Sequence, residues 1–253
     1  MAYTLLPQLH PHEKISVICV YVARKWEYRG PTDDGPVQHV DLVLADEKGN
    51  TIYAEIPPTQ IDKHASTIQE NGIYVMSRFK VANLKNSYRP VHASYMIELT
   101  CFTKINIAKD PPSTFPKYMY NLVEFDDLYN FVGDQTYFLD VLGVIIEVNQ
   151  PEWRPLSNQP KPALTRNLII RNIEGNDLKL TLWGRRASEF NVDDVYNPDD
   201  PKPIVSLFVG CLMKSYMKQE YLSGSSACKW YFNPQIPEAV FLNSKLAVAV
   251  LSP

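Results

Sequence analysis

The chain has 253 residues, 45% of them hydrophobic and 21% charged, with a formal net charge of −3. That is enough apolar content for one large or two ordinary domains and too much for a disordered chain. No run of 18 or more apolar residues occurs, so no membrane-spanning helix is expected, and Met1 to Pro7 lacks the basic-then-apolar layout of a signal peptide. Residues 1–110 hold 12 basic and 12 acidic side chains, and residues 111–253 hold 13 and 16. Neither half has the strongly basic balance of a protein that coats nucleic acid indiscriminately, which leaves room only for a local basic groove.

In chain order, Ile15 to Val22 is rich in β-branched residues and predicts a first strand. A polar loop from Trp26 to Gly35 follows. Val40, Leu42 and Leu44 alternate on one face of a second strand, and Gly49-Asn50 turns the chain into a third, Thr51 to Ile56. Thr59 with Asp62 predicts a helix start. Ile61, Ala65 and Ile68 keep helical spacing, and Asn71-Gly72 supplies the stop. Ile73 to Ala82 and Tyr95 to Ile105 predict the fourth and fifth strands, with Tyr88 in the hairpin tip or loop between them.

The order then repeats. After a Pro-rich stretch, residues 106–118, and a small helix around 126–131, Tyr137 to Val148 predicts a long strand. A Pro-rich loop covers 149–164. Asn167 to Ile173 and Leu178 to Trp183 flank a second polar-Gly-Asn turn, Glu174-Gly175-Asn176, and Arg186 to Phe190 predicts a short helix. Ile204 to Tyr216 and Tyr221 to Phe232 complete the copy, which Asn233-Pro234-Gln235-Ile236-Pro237 closes. Five strands with a helix between the third and fourth is the order of an OB fold, a five-stranded Greek-key barrel that binds oligonucleotides or oligosaccharides. The fold expected is therefore all-β: a first OB domain over 1–110, a linker over 111–118 and a second OB domain over 119–253.

Chemistry other than binding has little support in the residues. Cys19, Cys101, Cys211 and Cys228 form no CxxC, so buried free thiols in a reducing compartment are expected, with two disulfides as the alternative. His10, His12, His39, His64 and His92 show no metal-ligand spacing. No P-loop, Gly-x-Ser-x-Gly or Gly-x-Gly-x-x-Gly occurs. No catalysis, metal or cofactor is expected.

Several motifs resemble one family. They are the opening Leu-x-x-Leu, the Asp46-Glu47-x-Gly49 turn, Ile61-Asp62-Lys63 and Tyr74-x-x-Ser77 in the first copy. In the second they are Asp140-Val141-Leu142-Gly143, Thr181-Leu182-Trp183-Gly184, Ala187-x-x-Phe190 and Asn233-Pro234-x-Ile236-Pro237-Glu238-Ala239. Over almost its whole length the chain resembles the tandem DNA-binding OB domains of the large subunit of replication protein A, in particular the plant-type version. The resemblance implies single-stranded DNA as partner, with other subunits of that type or repair proteins, a nuclear location, and roles in replication, repair and recombination. It implies no membrane partner.

The resemblance also implies stacking aromatics at Trp183 and Tyr216 in the second copy and at Tyr88 in the first. The remaining aromatic position falls on Ile56, beside Pro57 and Pro58, which gives contact area but no π-stack. Basic residues beside these rings are Arg185, Arg186, Lys214 and Lys218 in the second copy and Lys85 and Arg89 in the first. Arg24, Lys25 and Arg29 are expected in the first-copy loop between strands one and two, and Trp153 and Arg154 in its second-copy equivalent, where such loops clamp a strand. Stacking contributes ~1–3 kcal/mol per base and tolerates any sequence. The second copy is expected to be the stronger half. The readings left open are an OB-fold protein-interaction module with weak or no DNA binding, and a telomere or RNA single-strand binder.

Overall fold

The computed structural model describes residues 3–11, 16–31, 33–111, 115–156, 160–193, 195 and 202–250, with side chains to residue 245. The chain divides into two compact units, Met1–Tyr120 and Asn121–Pro253.

In the first unit, β1 (Val17–Tyr28) pairs with β2 (His39–Ala45), and β2 pairs with β3 (Thr51–Ile56). The register sets Val40 against Ile56, Leu42 against Ala54 and Leu44 against Ile52. Because side chains alternate across a strand, all six point to one face, and all six are buried in one core with Ile18, Val20 and Val22. The β2–β3 turn is built around Asp46. Its buried carboxylate accepts from the Leu6, Lys48 and Asn50 amides at 3.0, 2.9 and 3.0 Å, while Gly49 takes φ 81°.

The expected fourth and fifth strands each break once to turn the barrel's corner. The fourth becomes β4 (Ile73–Ser77) and β5 (Lys80–Asn83), and the fifth becomes β6 (Tyr95–Glu98) and β7 (Lys104–Ile107). The break in the fourth lies at Arg78, φ 59°. β4 pairs with β1 and β7, β5 with β6, and β6 with β3 in parallel, so the barrel closes. The helix expected from Thr59 to Ile68 is one turn, α1 (Ile61–His64), behind a 3₁₀ turn at Pro58–Gln60. No side chain caps it, and Thr59 has no capping role. The expected linker, 111–118, includes residues 112–114, which lie outside the described residues; Phe115 packs 6.3 Å from the Tyr21 ring.

The second unit enters through α2 (Phe125–Leu128). Its ring runs from β8 (Leu139–Val148) to β10 (Ala163–Arg171), β11 (Asp177–Trp183), β13 (Gln219–Phe232), β12 (Val205–Tyr216) and back to β8. The loop expected at 149–164 contains a short strand, β9 (Glu152–Arg154), paired to β10. The helix after β11 is α3 (Arg185–Glu189). β12 bulges at Gly210, whose φ is +77° and where a Cβ would sit 2.4 Å from the Ala227 carbonyl oxygen, so only glycine fits. A terminal helix absent from the sequence-based expectation, α4 (Pro237–Val250), buries Ala239 and Leu242. Both units are OB folds. Among the described residues no helix is long and apolar enough to cross a membrane.

Candidate nucleic-acid interface

In the second unit, β11 alternates cleanly. Leu178, Leu180 and Leu182 face the core, which leaves Lys179, Thr181 and Trp183 on the outer face. Trp183 is half-buried, and its Nε1 donates to Ser223 Oγ on β13 at 3.0 Å. That bond fixes the edge of the ring, and part of the residue's surface stays exposed. Beside it, Thr181 Oγ1 donates to Asn167 Oδ1 at 2.8 Å.

The β12–β13 hairpin carries the other aromatic. Tyr216 pairs with Gln219 across the two-residue turn Met217-Lys218, both with positive φ, 49° and 62°. Such turns suit the right-handed twist of a hairpin but ordinarily use Asn or Gly. The strain holds a sharp tip on which Tyr216 is 66% exposed. Lys214 and Lys218 lie exposed on either side of it, and among the described residues neither takes an ion pair. Desolvation lowers the Lys214 ammonium below the usual lysine range. Lys179 Nζ lies 6.0 Å from the Tyr221 ring centroid, which extends the aromatic-basic surface towards Trp183.

The other residues expected around this site are placed differently. Arg185 is exposed on α3, but Arg186 is tied to β13: its guanidinium donates to the carbonyls of Cys228, at 3.3 Å, and Ser226. Trp153 is 68% exposed. It pairs with Leu164, however, while Trp183 pairs with Thr165, so strand alternation sets the two rings on opposite sheet faces. Arg154 forms an ion pair with Glu152 on the same short strand.

In the first unit most of the expected cations are committed to their own chain. Arg24 and Lys25 are not in a loop, because β1 continues to Tyr28. Arg24 is only 2% exposed and donates to the Pro90 carbonyl at 3.1 Å. Lys25 Nζ donates to the carbonyls of Ala65 and Ile68 at 2.6 and 2.7 Å, and burial lowers its pKa. Arg29 does follow the strand, and it binds Glu27 at 2.7 Å and the Gly35 carbonyl at 3.1 Å. Lys85 forms an ion pair with Glu55 and lies 5.4 Å from the Tyr53 ring centroid; Arg89 Nε donates to the Lys85 carbonyl. Through Lys85 and Pro90 the segment between β5 and β6 is tied to Glu55 on β3 and Arg24 on β1. Tyr88, φ 58°, stands 45% exposed on that segment.

Ile56 is fully buried in the core. It takes the inward parity, whereas Trp183 takes the outward one, so the two positions are not equivalent. The outward residues in this region are His39, Asp41, Tyr53 and Glu55, none of which the sequence reading selected. The signal for them was present: each lies one residue from a core position. The Tyr53 hydroxyl donates to Asp41 Oδ1 at 2.7 Å and lies 3.2 Å from Glu55 Oε2. Burial, with both carboxylates adding, pushes its pKa far above the usual phenol range.

Residues 7–130 match a family model described as a domain of unknown function, DUF223. The 70 kDa DNA-binding subunit of replication protein A from Drosophila melanogaster is 24% identical over 238 residues, 92% of this chain and 37% of that protein. Replication factor A protein 1 of Saccharomyces cerevisiae is 25% identical over 240 residues, 94% of this chain and 36% of that protein. A solved replication protein A heterotrimer bound to ssDNA aligns with a TM-score of 0.65 at 22% identity, covering 97% of this chain and 55% of its counterpart. The chain resembles the large subunit of replication protein A. It spans just over a third of the length of the fly and yeast relatives. A rice replication protein A subunit matches at 23% identity over 70% of the chain, so the likeness does not single out the plant version over the animal or fungal ones.

Proposed function

We propose that this chain binds single-stranded DNA without catalysing a reaction, and that its second OB unit supplies most of the affinity. The observation that carries this reading is the β12–β13 tip, where exposed Tyr216 stands between Lys214 and Lys218, neither ion-paired among the described residues. Bases stack on Tyr216 and Trp183, and Lys214, Lys218 and Arg185 lie along the phosphates. Tyr88 in the first unit and Trp153 in the second are assigned secondary contacts, each within its own unit. The division into OB domains over 1–110 and 119–253 belongs to this proposal. So do a nuclear location, roles in replication, repair and recombination, and association with other replication protein A-type subunits or repair proteins. The relatives' names and the DNA-bound heterotrimer support these assignments.

Fluorescence anisotropy with single-stranded DNA, single-stranded RNA and duplex DNA, each at two salt concentrations, tests the reading. Tight binding to the single DNA strand that weakens with salt is expected. Absence of binding to it at low salt would reject the proposal, and stronger binding to RNA would redirect it.

A further inference from the structure

The outer face of the first barrel carries a cluster that nucleic-acid binding does not explain. His39 and Asp41 stand two residues apart on β2, on the same side of the strand, and Glu55 on β3 sits opposite Asp41. His39 Nδ1 lies 2.9 Å from Asp41 Oδ1 and 3.8 Å from Glu55 Oε2. One donor atom from each residue falls within 4.8 Å of the other two.

We propose that His39 Nδ1, Asp41 and Glu55 form a binding site for a divalent transition cation of the zinc class. Zinc bonds nitrogen and carboxylate oxygen at ~2.0–2.2 Å in tetrahedral sites, which sets neighbouring donors roughly 3.3–3.6 Å apart. The two separations from Nδ1 bracket that range, and all three donor atoms lie within 4.8 Å of one another, so closing the site needs side-chain shifts of about 1 Å. An imidazole with two carboxylates suits zinc and its first-row neighbours better than magnesium or calcium.

The surroundings are already those of a metal site. The Tyr53 hydroxyl bridges towards both carboxylates and orients them, as outer-shell donors do. The Tyr28 ring stacks on the His39 imidazole, with centroids 4.8 Å apart and planes at 22°, and fixes its direction. Asp41 is buried, and its Oδ1 already accepts from the Tyr53 hydroxyl at 2.7 Å and lies 2.9 Å from His39 Nδ1. Among the described residues one lysine, Lys85, ion-pairs with Glu55 and none with Asp41, while Glu98, beside Glu55 in the parallel pairing of β3 and β6, is matched by Lys80 at 2.9 Å. A cation entering the site displaces the Nδ1 proton to solvent and competes with Lys85 for Glu55. Three protein donors leave one coordination position for water.

The test is a titration of the full chain, freed of metal by chelation, with Zn²⁺ in a calorimeter and with Co²⁺ followed by visible absorption. One cation per chain is expected, with cobalt d–d bands and no near-ultraviolet thiolate band. His39→Gln and Glu55→Gln should each weaken binding more than tenfold. Tyr53→Phe should weaken it roughly 10- to 100-fold as an outer-shell loss, and Lys85→Met should strengthen it. Circular dichroism checks that each variant folds. Should one fail, shifts of the His39 imidazole proton resonances on adding Co²⁺ to the unaltered chain report the same site. No binding by the unaltered chain at millimolar cation would overturn the proposal. So would unchanged affinity in folded His39→Gln and Glu55→Gln, unmoved His39 resonances, or a thiolate band that places the cation on cysteine.

Discussion

Removing both proposed stacking rings of the second unit, as Trp183→Ala with Tyr216→Ala, is the sharpest perturbation of the binding reading. Tyr216 is two-thirds exposed on the hairpin tip, so its truncation removes little buried surface. Trp183 is half-buried and loses one bond to Ser223. That bond is worth about 1 kcal/mol to folding, well short of unfolding a barrel closed by five strands. Each lost stacking platform costs ~1–3 kcal/mol of binding. Taking the lower half of that range for rings that one strand engages together gives a loss of about 2–4 kcal/mol, or roughly 30- to 700-fold in Kd. Anisotropy of a labelled thymidine oligomer at fixed ionic strength measures it, with thermal unfolding by circular dichroism as the control. A Kd within about threefold of the unaltered chain, in a folded double variant, would refute the assignment of the site.

Three further outcomes follow from the same geometry. Lys214→Ala with Lys218→Ala should lower the steepness of log K against log salt by about 1.4, since each single-strand phosphate contact contributes about 0.7; Lys85→Ala with Arg89→Ala should change it much less, and a salt titration compares the two. Asp46→Ala strands the Leu6, Lys48 and Asn50 amides that its carboxylate now satisfies. It should cost the first unit about 2–4 kcal/mol in urea unfolding. Gly210→Ala forces a Cβ to 2.4 Å from the Ala227 carbonyl oxygen at positive φ. A loss of about 2 kcal/mol or more is expected, lowering the second unit's melting temperature by roughly 6–10 °C.

The barrels were legible in the sequence because their information is local. Alternation in Val40-Leu42-Leu44 and Leu178-Leu180-Leu182, joined by Gly-Asn turns, specifies hairpins with one buried face. What was not legible depends on partners far along the chain. Arg24 and Lys25 look like loop residues, yet backbone pairing with β2 keeps them in β1, and their side chains donate to the carbonyls of Pro90, Ala65 and Ile68. Arg186 looks like a free cation, yet β13 carbonyls hold it. The terminal helix was missed for a different reason. Pro237 reads as a stop after Asn233-Pro234, but proline is also favoured at the first position of a helix, which is where it stands in α4.

The two copies share their inward residues in kind and differ in their outward ones, and this difference separates fold from function. A core position tolerates only apolar side chains of suitable volume, so both copies keep Leu, Ile and Val there. An outward position is free of that constraint. In the second copy the outer face presents Lys179, Trp183 and a hairpin of exposed Lys and Tyr. In the first it presents Asp41 and Glu55, and its nearest lysine, Lys85, is already paired with Glu55. A phosphate reaching that face must break the ion pair and then sit beside two carboxylates, which costs at least what a new Lys–phosphate contact returns. Under the two proposals, the outer face of the first barrel suits a cation where that of the second suits an anion.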